Sequence, residues 1–183
     1  MKRCEWAKDD PNKTYHDHEW GRPQHDDTRL FEFLILEGAQ AGLSWVTILK
    51  RREGYRKAFS NFDALKVSKY TKKHVEKLLL DESIIRNRLK INSAINNAKQ
   101  FLKIQKEFGS FDEYLWGFVH HKPIKNKFKK LSDLPTSTEI SEKLSQDLKK
   151  RGFNFVGPTI CYALMQAIGM VNDHTSNCYL FKK

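Results

Sequence analysis

The sequence contains no apolar run approaching the roughly 20 residues that a membrane-spanning helix needs. Its first residues lack the apolar segment and small-residue cleavage site of a secretory signal. It has only three cysteines, which is too few and an odd number for a disulfide framework. Acidic residues are also scarce, with 22 Asp and Glu against 33 Lys and Arg and a formal net charge of +11. We therefore predict a cytoplasmic protein that binds a polyanion and does not associate with a membrane.

What the sequence does contain is enough apolar material for a folded core. Hydrophobic residues make up 39% of its 183 residues and aromatic residues 12%. The length fits a single domain, which we predict to span residues 1–183. Apolar residues recur at helical spacing through most of the chain, and no pair of alternating runs joined by a tight turn indicates a β-hairpin. The sequence predicts an all-α fold.

Capping residues give approximate helix boundaries. Thr28 is a candidate N-cap for an apolar helix near the start of the chain. Thr136 and Glu139 have the spacing of a capping box, which predicts the start of a later helix. The last helix is predicted to follow Pro158 and to carry an apolar stripe as far as Val171.

Two pairs of potential metal ligands lie at opposite ends of the chain. Cys4 and His16 are near the N-terminus, and His174 and Cys178 are four residues apart near the C-terminus, a spacing that can place both donors on one side of a helical turn. Together they would form a closed Cys₂His₂ site for a structural Zn²⁺ ion. His18 is an alternative to His16. The simpler alternative is that these are ordinary reduced cysteines and surface histidines.

Glu37 occupies the middle of an apolar helical stripe, where a carboxylate is costly unless it is paired. It is either a functional carboxylate or a helix-end glutamate that reaches solvent or an arginine. The first quarter of the chain also concentrates large aromatic residues, namely Trp6, Tyr15, Trp20 and Trp45. These residues suit either an ordinary core or, with Glu37, a pocket for a flat electron-poor ring such as an alkylated purine.

Several features favour nucleic-acid binding. Basic residues cluster at Lys50-Arg51-Arg52, Lys72-Lys73, Lys125 to Lys130 and Lys149-Lys150-Arg151. Any single run of this kind is usually a solvated face, but several in one small domain favour phosphate contacts. Leu43 follows a glycine on a predicted loop and is suited either to the core or to insertion into a base stack. The segment around Gly157, which leads into a helix, would offer backbone N–H groups to a phosphate.

Six blocks of residues follow one another over nearly the whole chain. They are Arg3-Cys4-x-Trp6, Tyr15-His16-Asp17-x-Glu19-Trp20-Gly21, Leu36-Glu37-Gly38-x-Gln40-Ala41-Gly42-Leu43-Ser44-Trp45, Ile84-Ile85-Arg86-x-Arg88, Gly152-Phe153-x-Phe155-Val156-Gly157 and Val171-Asn172-Asp173-His174. In this order they resemble the bacterial DNA-3-methyladenine glycosylase I family of the helix-hairpin-helix DNA glycosylase superfamily. The resemblance implies two helical lobes, with a zinc ion that joins the N- and C-terminal segments. It also implies a monofunctional, monomeric enzyme that flips 3-methyladenine out of double-stranded DNA and releases the free base in base excision repair.

The resemblance also implies a role for individual residues. The implied structural zinc ligands are Cys4, His16, His174 and Cys178. Glu37 is the implied catalytic residue and reads the base, in a substrate pocket formed with Trp6, Tyr15 and Trp45. The implied DNA contacts are Gln40, Gly42, Leu43, Gly157 and Thr159, with Leu43 as the wedge. A non-enzymatic, zinc-stabilised helical DNA-binding domain, in which Glu37 is only a structural acid, is the alternative.

Overall fold

Nine α-helices make up most of the secondary structure between residues 2 and 181, the part of the chain that this computed structural model describes. They are α1 (Asn12–His18), α2 (Asp27–Gln40), α3 (Trp45–Ala58), α4 (Ala64–Ser68), α5 (Lys72–Leu79), α6 (Arg88–Phe108), α7 (Phe111–Gly117), α8 (Glu139–Lys150) and α9 (Pro158–Ala167). Two 3₁₀ turns (Ser60–Phe62 and Leu131–Asp133) complete the helical structure of this range. In the described range, no helix has the length and hydropathy of a membrane span. The all-α fold was predicted, and the structure over these residues is predominantly helical with one short strand pair.

The two predicted N-caps are wrong by two residues each. The N-cap of α2 is Asp26, whose carboxylate accepts a hydrogen bond from the Arg29 backbone N–H, and Thr28 lies inside the helix. The N-cap of α8 is Thr138. Thr136 cannot form a capping box with Glu139, because Glu139 is already the first helical residue. Several Asp, Ser or Thr residues stand near each helix start and can act as caps, so the sequence alone does not select among them.

The chain also forms one short parallel strand pair that the sequence reasoning missed. β1 (Ile124–Lys125) pairs with β2 (Val171–Asn172). Helix α9 therefore ends at Ala167, and Val171 belongs to the strand instead of extending the apolar stripe of the helix. The pair ties the long connection between α7 and α8 to the C-terminal segment.

Helix α2 is the centre of the fold. Each of its residues from Leu30 to Ala39 is buried, and it packs against α3, α6, α7 and α9. A helix surrounded on all sides by other helices is expected to be apolar all round. Two residues of this buried stretch, Glu32 and Glu37, nevertheless carry carboxylates.

Helices α8 and α9 pack against each other and are joined by residues 151–157, which we call the hairpin turn. The turn passes close to α2, because a Cβ atom placed on Gly38 would lie 3.3 Å from Cβ of Phe155. A larger residue at this position would press against Phe155, so glycine suits the close approach. The contact places the hairpin turn beside the residue that follows Glu37.

Candidate active site and metal cluster

A cavity of about 310 Å³ opens beside the C-terminal end of α2. It is lined by Trp6, Asn12, Tyr15, Trp20, Glu37, Gln40, Trp45, Leu131, Leu134, Ala163 and Gln166. The structure thus brings together all four residues predicted to bind a substrate, although 39 positions separate Trp6 from Trp45 in the sequence. The volume and the four large aromatic side chains of the lining suit a single flat ring system.

The Glu37 carboxyl group is the only acidic group in the lining of this cavity. The residue is 5% exposed, and among residues 2–181 no hydrogen bond or ion pair reaches its carboxyl oxygens. Burial raises the pKa of Glu37 to about 8, so the isolated carboxyl is largely neutral at pH 7. The carboxyl oxygens of Glu37 are therefore available to form hydrogen bonds with a ligand in the cavity.

Glu32, which the sequence reasoning overlooked, shows what a structural carboxylate in the same helix looks like. Its oxygens accept hydrogen bonds from Arg52 at 2.8 Å, from Arg56 at 2.9 Å and from Arg29 at 2.5 Å. Burial works to raise its pKa, but these hydrogen bonds and charges hold the pKa of Glu32 below its usual value. The contrast favours a functional role for Glu37, because residues 2–181 supply three partners to Glu32 and none to Glu37.

The aromatic side chains that line the cavity pack against one another in tilted or edge-to-face arrangements. The rings of Tyr15 and Trp45 are 5.4 Å apart at 52°, and those of Trp6 and Trp20 are 5.0 Å apart at 79°. Burial raises the pKa of Tyr15 well above its usual value, so its hydroxyl stays neutral. Walls of this kind offer ring faces and edges to a planar guest.

The turn between α2 and α3, residues 41–44, projects a leucine. Gly42 has φ = +77°, a conformation that favours glycine, and Leu43 is 37% exposed. The Gln40 side-chain amide donates to the Leu43 carbonyl at 2.5 Å, and the Leu43 N–H donates to the Gln40 carbonyl at 2.7 Å. Gln40 therefore connects the cavity wall to the exposed leucine.

The N-terminus of α9 is uncapped by any side chain. Gly157 is the N-cap, Pro158 occupies the first helical position, and Thr159 follows. The first N–H groups of a helix have no partner within the helix. Among residues 2–181, no side chain caps this helix start, so its first amides remain candidates for the predicted phosphate contact.

The four predicted metal ligands meet in one buried cluster, in which their donor atoms all lie within 4.8 Å of one another. Cys178 Sγ is 3.4 Å from His16 Nε2, and His174 Nδ1 is 3.6 Å from the sulfur of each cysteine. Tetrahedral coordination, with Zn–S of about 2.3 Å and Zn–N of about 2.1 Å, requires donor separations of about 3.4–3.8 Å. The three separations given above fall in this range and the remaining pairs lie within 4.8 Å, so the cluster could hold a metal ion.

Two details of the predicted cluster need correction. His18, the alternative ligand, is exposed and lies outside the cluster. His174 and Cys178 lie in a turn after β2 instead of a helix, with the Cys178 N–H donating to the Thr175 carbonyl at 2.7 Å. A tight turn brings donors at this spacing together as well as a helix does.

Residues around the cluster orient its histidine side chains for binding a cation. His16 Nδ1 is 2.8 Å from Asp17 Oδ1, and His174 Nε2 is 3.3 Å from the Trp20 carbonyl. These contacts orient each imidazole so that its other nitrogen faces the cluster. Burial raises the pKa of Cys4 to about 11, so a thiolate there requires a neighbouring cation.

Asp173, adjacent to His174, does not belong to the metal surroundings. Its carboxylate accepts hydrogen bonds from Asn126 at 2.7 Å, Tyr162 at 2.5 Å and Gln166 at 2.8 Å. It is 1% exposed. Three neutral donors therefore hold it as a structural carboxylate that joins the α7–α8 connection, α9 and β2.

The sequence profile of the Methyladenine glycosylase family matches residues 6–182. The chain belongs to this family. DNA-3-methyladenine glycosylase 1 of Escherichia coli K12 is 50% identical over 179 residues, which cover 97% of this chain and 96% of the relative. The DNA-3-methyladenine glycosylase of Haemophilus influenzae is 46% identical over 177 residues, or 96% of each chain. The predicted family is confirmed.

Solved structures of the family share this fold. The 3-methyladenine DNA glycosylase I of Staphylococcus aureus, solved to explain 3-methyladenine recognition, superposes with a TM-score of 0.94 at 38% identity and covers 98% of this chain and 96% of its own. A variant of a 3-methyladenine DNA glycosylase I in complex with 3-methyladenine gives a TM-score of 0.94 at 37% identity, with 98% and 97% covered.

Five residues that line the cavity were not identified as site residues from the sequence. They are Asn12, Leu131, Leu134, Ala163 and Gln166. Leu131 and Leu134 belong to the connection between α7 and α8, where helical periodicity lapses. Leu131 is 41% exposed, and the residues next to it in the sequence do not indicate that it lines a cavity. No local signal distinguishes these residues, because only the folded chain carries this connection across to the aromatic cluster.

Proposed function

We propose that this protein is a DNA-3-methyladenine glycosylase that hydrolyses the N-glycosidic bond of 3-methyladenine in alkylated DNA, the first step of base excision repair. The observation that carries the proposal is the unpaired, buried carboxyl group of Glu37 in an aromatic cavity. Membership of the Methyladenine glycosylase family supports it. We further infer that residues 1–183 act as one domain, in the cytoplasm and as a monomer.

The methylated base itself supplies much of the driving force. Methylation at N3 gives the adenine a formal positive charge, so the base leaves as a neutral molecule. Water adds to C1′ as the bond to N9 breaks, the bonding electrons neutralise the base, and the proton of the water passes to solvent. The enzyme is then required mainly to find and hold the cationic base.

Glu37 is suited to recognise this base because its carboxyl oxygens are available to accept hydrogen bonds. The cationic base brings N–H groups and a positive charge into the cavity, and both favour the carboxylate form of Glu37. An unmodified base has no such charge and leaves the carboxyl without compensation. Tyr15, Trp6 and Trp45 supply stacking and edge contacts around the ring.

We assign the approach to DNA to two turns. Leu43, supported by Gln40 and Gly42, enters the base stack and fills the space left by the flipped base. The free amides of Gly157 and Thr159 receive a backbone phosphate. The net charge of +11 provides the sequence-independent attraction that lets the protein search duplex DNA.

We also propose that the Cys₂His₂ cluster holds a structural Zn²⁺ ion. The four ligands leave no open coordination position, so the ion would stabilise the junction of the N- and C-terminal segments and take no part in the reaction. The donor separations and the oriented imidazoles support this assignment.

The proposal is tested by incubating the protein with methylated duplex DNA and separating the released bases by chromatography. We expect free 3-methyladenine and intact strands that break only after treatment of the abasic sites with alkali. No lysine lines the cavity in the described part of the chain, so we expect no Schiff-base strand cleavage. Tight DNA binding without base release would favour the non-enzymatic DNA-binding domain.

Replacing the wedge residue is expected to impair duplex DNA selectively. Leu43→Ala removes the side chain that fills the stack, so we expect excision from duplex to fall about 10-fold, with a smaller change on single-stranded DNA. Leu65→Ala, at another exposed leucine, is the matched control. The prediction is wrong if the two Leu43→Ala rates fall by the same factor.

A further inference from the structure

Helix α6 contacts both of the turns that we assign to DNA. Lys90 reaches the end of α2, where the 41–44 turn begins, and Asn97 reaches the hairpin turn. Residues seven apart lie on the same face of a helix, two turns from each other. We propose that Lys90 is a positioning residue that holds the Leu43 turn at a fixed distance from the hairpin turn. This inference rests on the proposed function.

Lys90 makes an unusual pair of contacts for a lysine. Its Nζ donates hydrogen bonds to the backbone carbonyl of Ala39 at 2.7 Å and to that of Ala41 at 2.6 Å. These carbonyls lie at the C-terminal end of α2, where the helix dipole favours a cation. In the described part of the chain no carboxylate lies within ion-pair distance of Lys90, so the carbonyl contacts are its main interaction. Leu43 follows Ala41 by two residues.

Asn97 holds the hairpin turn in a similar way. Its Nδ2 donates to the Asn154 carbonyl at 2.9 Å, and its Oδ1 accepts from the Asn154 N–H at 2.8 Å. The neighbouring Asn96 donates to the Gly152 carbonyl at 2.7 Å. Asn97 is 3% exposed, so this clamp is part of the folded interior.

The two sets of contacts fix a separation that matters for duplex DNA. Seven residues of α6 correspond to a rise of about 10 Å along a rigid helix. A duplex must accept Leu43 in its stack and a phosphate at the hairpin turn at the same time, because its own geometry is stiff. A flexible single strand can satisfy either contact independently. Loss of the Lys90 contacts should therefore affect duplex DNA more than single-stranded DNA.

The test compares Lys90→Met, Lys90→Arg and the control Lys99→Met, which alters an exposed lysine of the same helix. Excision is measured on methylated duplex and methylated single-stranded DNA, and binding of free 3-methyladenine is followed by tryptophan fluorescence. We expect Lys90→Met to lose about 10-fold in kcat/KM on duplex, with single-strand excision and free-base binding within about 2-fold of wild type. Lys90→Arg retains N–H donors and should recover most of the duplex activity.

Three outcomes would overturn the proposal. These are unchanged duplex excision by Lys90→Met, an equal loss on both substrates, and a folded Lys90→Arg protein that is as impaired as Lys90→Met. Wild-type protein that released no base would contradict the proposed function separately. In that case the affinities of wild type and Lys90→Met for duplex and single-stranded DNA decide whether Lys90 positions the turn. A selective loss of duplex affinity supports it, and an equal or absent loss overturns it.

Discussion

Glu37→Gln is expected to lower the rate of 3-methyladenine release by about 100-fold or more, the scale on which a positioned acid or base contributes. The amide keeps the shape of the side chain and part of its hydrogen bonding, but it cannot become an anion when the cationic base enters. Single-turnover release of the base from methylated duplex DNA measures the effect. The variant should still bind undamaged duplex DNA, because that binding depends on the basic surface.

Glu5→Gln is the matched control, since Glu5 is exposed and has no described contact in the site. It should release the base at the wild-type rate. Near-normal base release by Glu37→Gln would contradict the assignment of Glu37 as the catalytic residue. It would favour the alternative in which Glu37 is a structural acid.

The same substitution should raise stability at neutral pH. The folded-state pKa of Glu37 is about 8 against an ordinary value of 4.5. Between these values the folded protein binds a proton that the unfolded chain releases, so stability falls as pH rises, by about 1.4 kcal/mol per pH unit. Glu37→Gln removes this term. Urea unfolding at about pH 5 and about pH 7.5 should show a growing advantage for the variant.

Disruption of the Cys₂His₂ cluster is expected to have the second large effect. Cys178→Ser deletes one of its four buried donors. On the proposed zinc assignment, metal binding contributes folding free energy, so we expect a loss of about 3–5 kcal/mol and a melting temperature lower by about 6–20 °C. Metal analysis after dialysis should give about one zinc ion per wild-type chain and much less for the variant.

Cys161→Ser provides the control, because Cys161 is buried in α9 away from the cluster. It should retain the metal even where the altered core costs some stability. A fully folded wild-type protein without metal would contradict the zinc assignment. The cavity should also respond to loss of the metal, since Tyr15 adjoins His16 and the Trp20 carbonyl contacts His174.

The four donors of the Cys₂His₂ cluster and the main pocket residues could be predicted from the sequence, because their residue types are unusual at these positions. A carboxylate in an apolar stripe violates the helix pattern, which made Glu37 visible. Cysteine and histidine pairs at opposite termini are a restricted set of zinc donors, which made the ligands visible although about 170 residues separate them. Order within the six blocks then indicated the family.

Other residues could not be found in this way because their chemistry is ordinary until the chain folds. Glu32 looks like an exposed helical glutamate, and three arginines from two helices decide that it is paired. Leu131 is one leucine in a basic connection, and Lys90 is one of many lysines. Their roles depend on which distant backbone or cavity they meet.

The sequence by itself determined the helical class, the basic composition and the identities of the unusual groups, because composition and periodicity are local properties. The order of the six blocks indicated the family by resemblance. Only the tertiary structure decided that Glu37 has no partner among residues 2–181 while Glu32 has three, that the connection between α7 and α8 supplies Leu134 to the cavity, and that Lys90 contacts the end of α2 beside the Leu43 turn. These distinctions depend on desolvation and on contacts between segments far apart in the chain, and both arise only when α2 is surrounded by its neighbours.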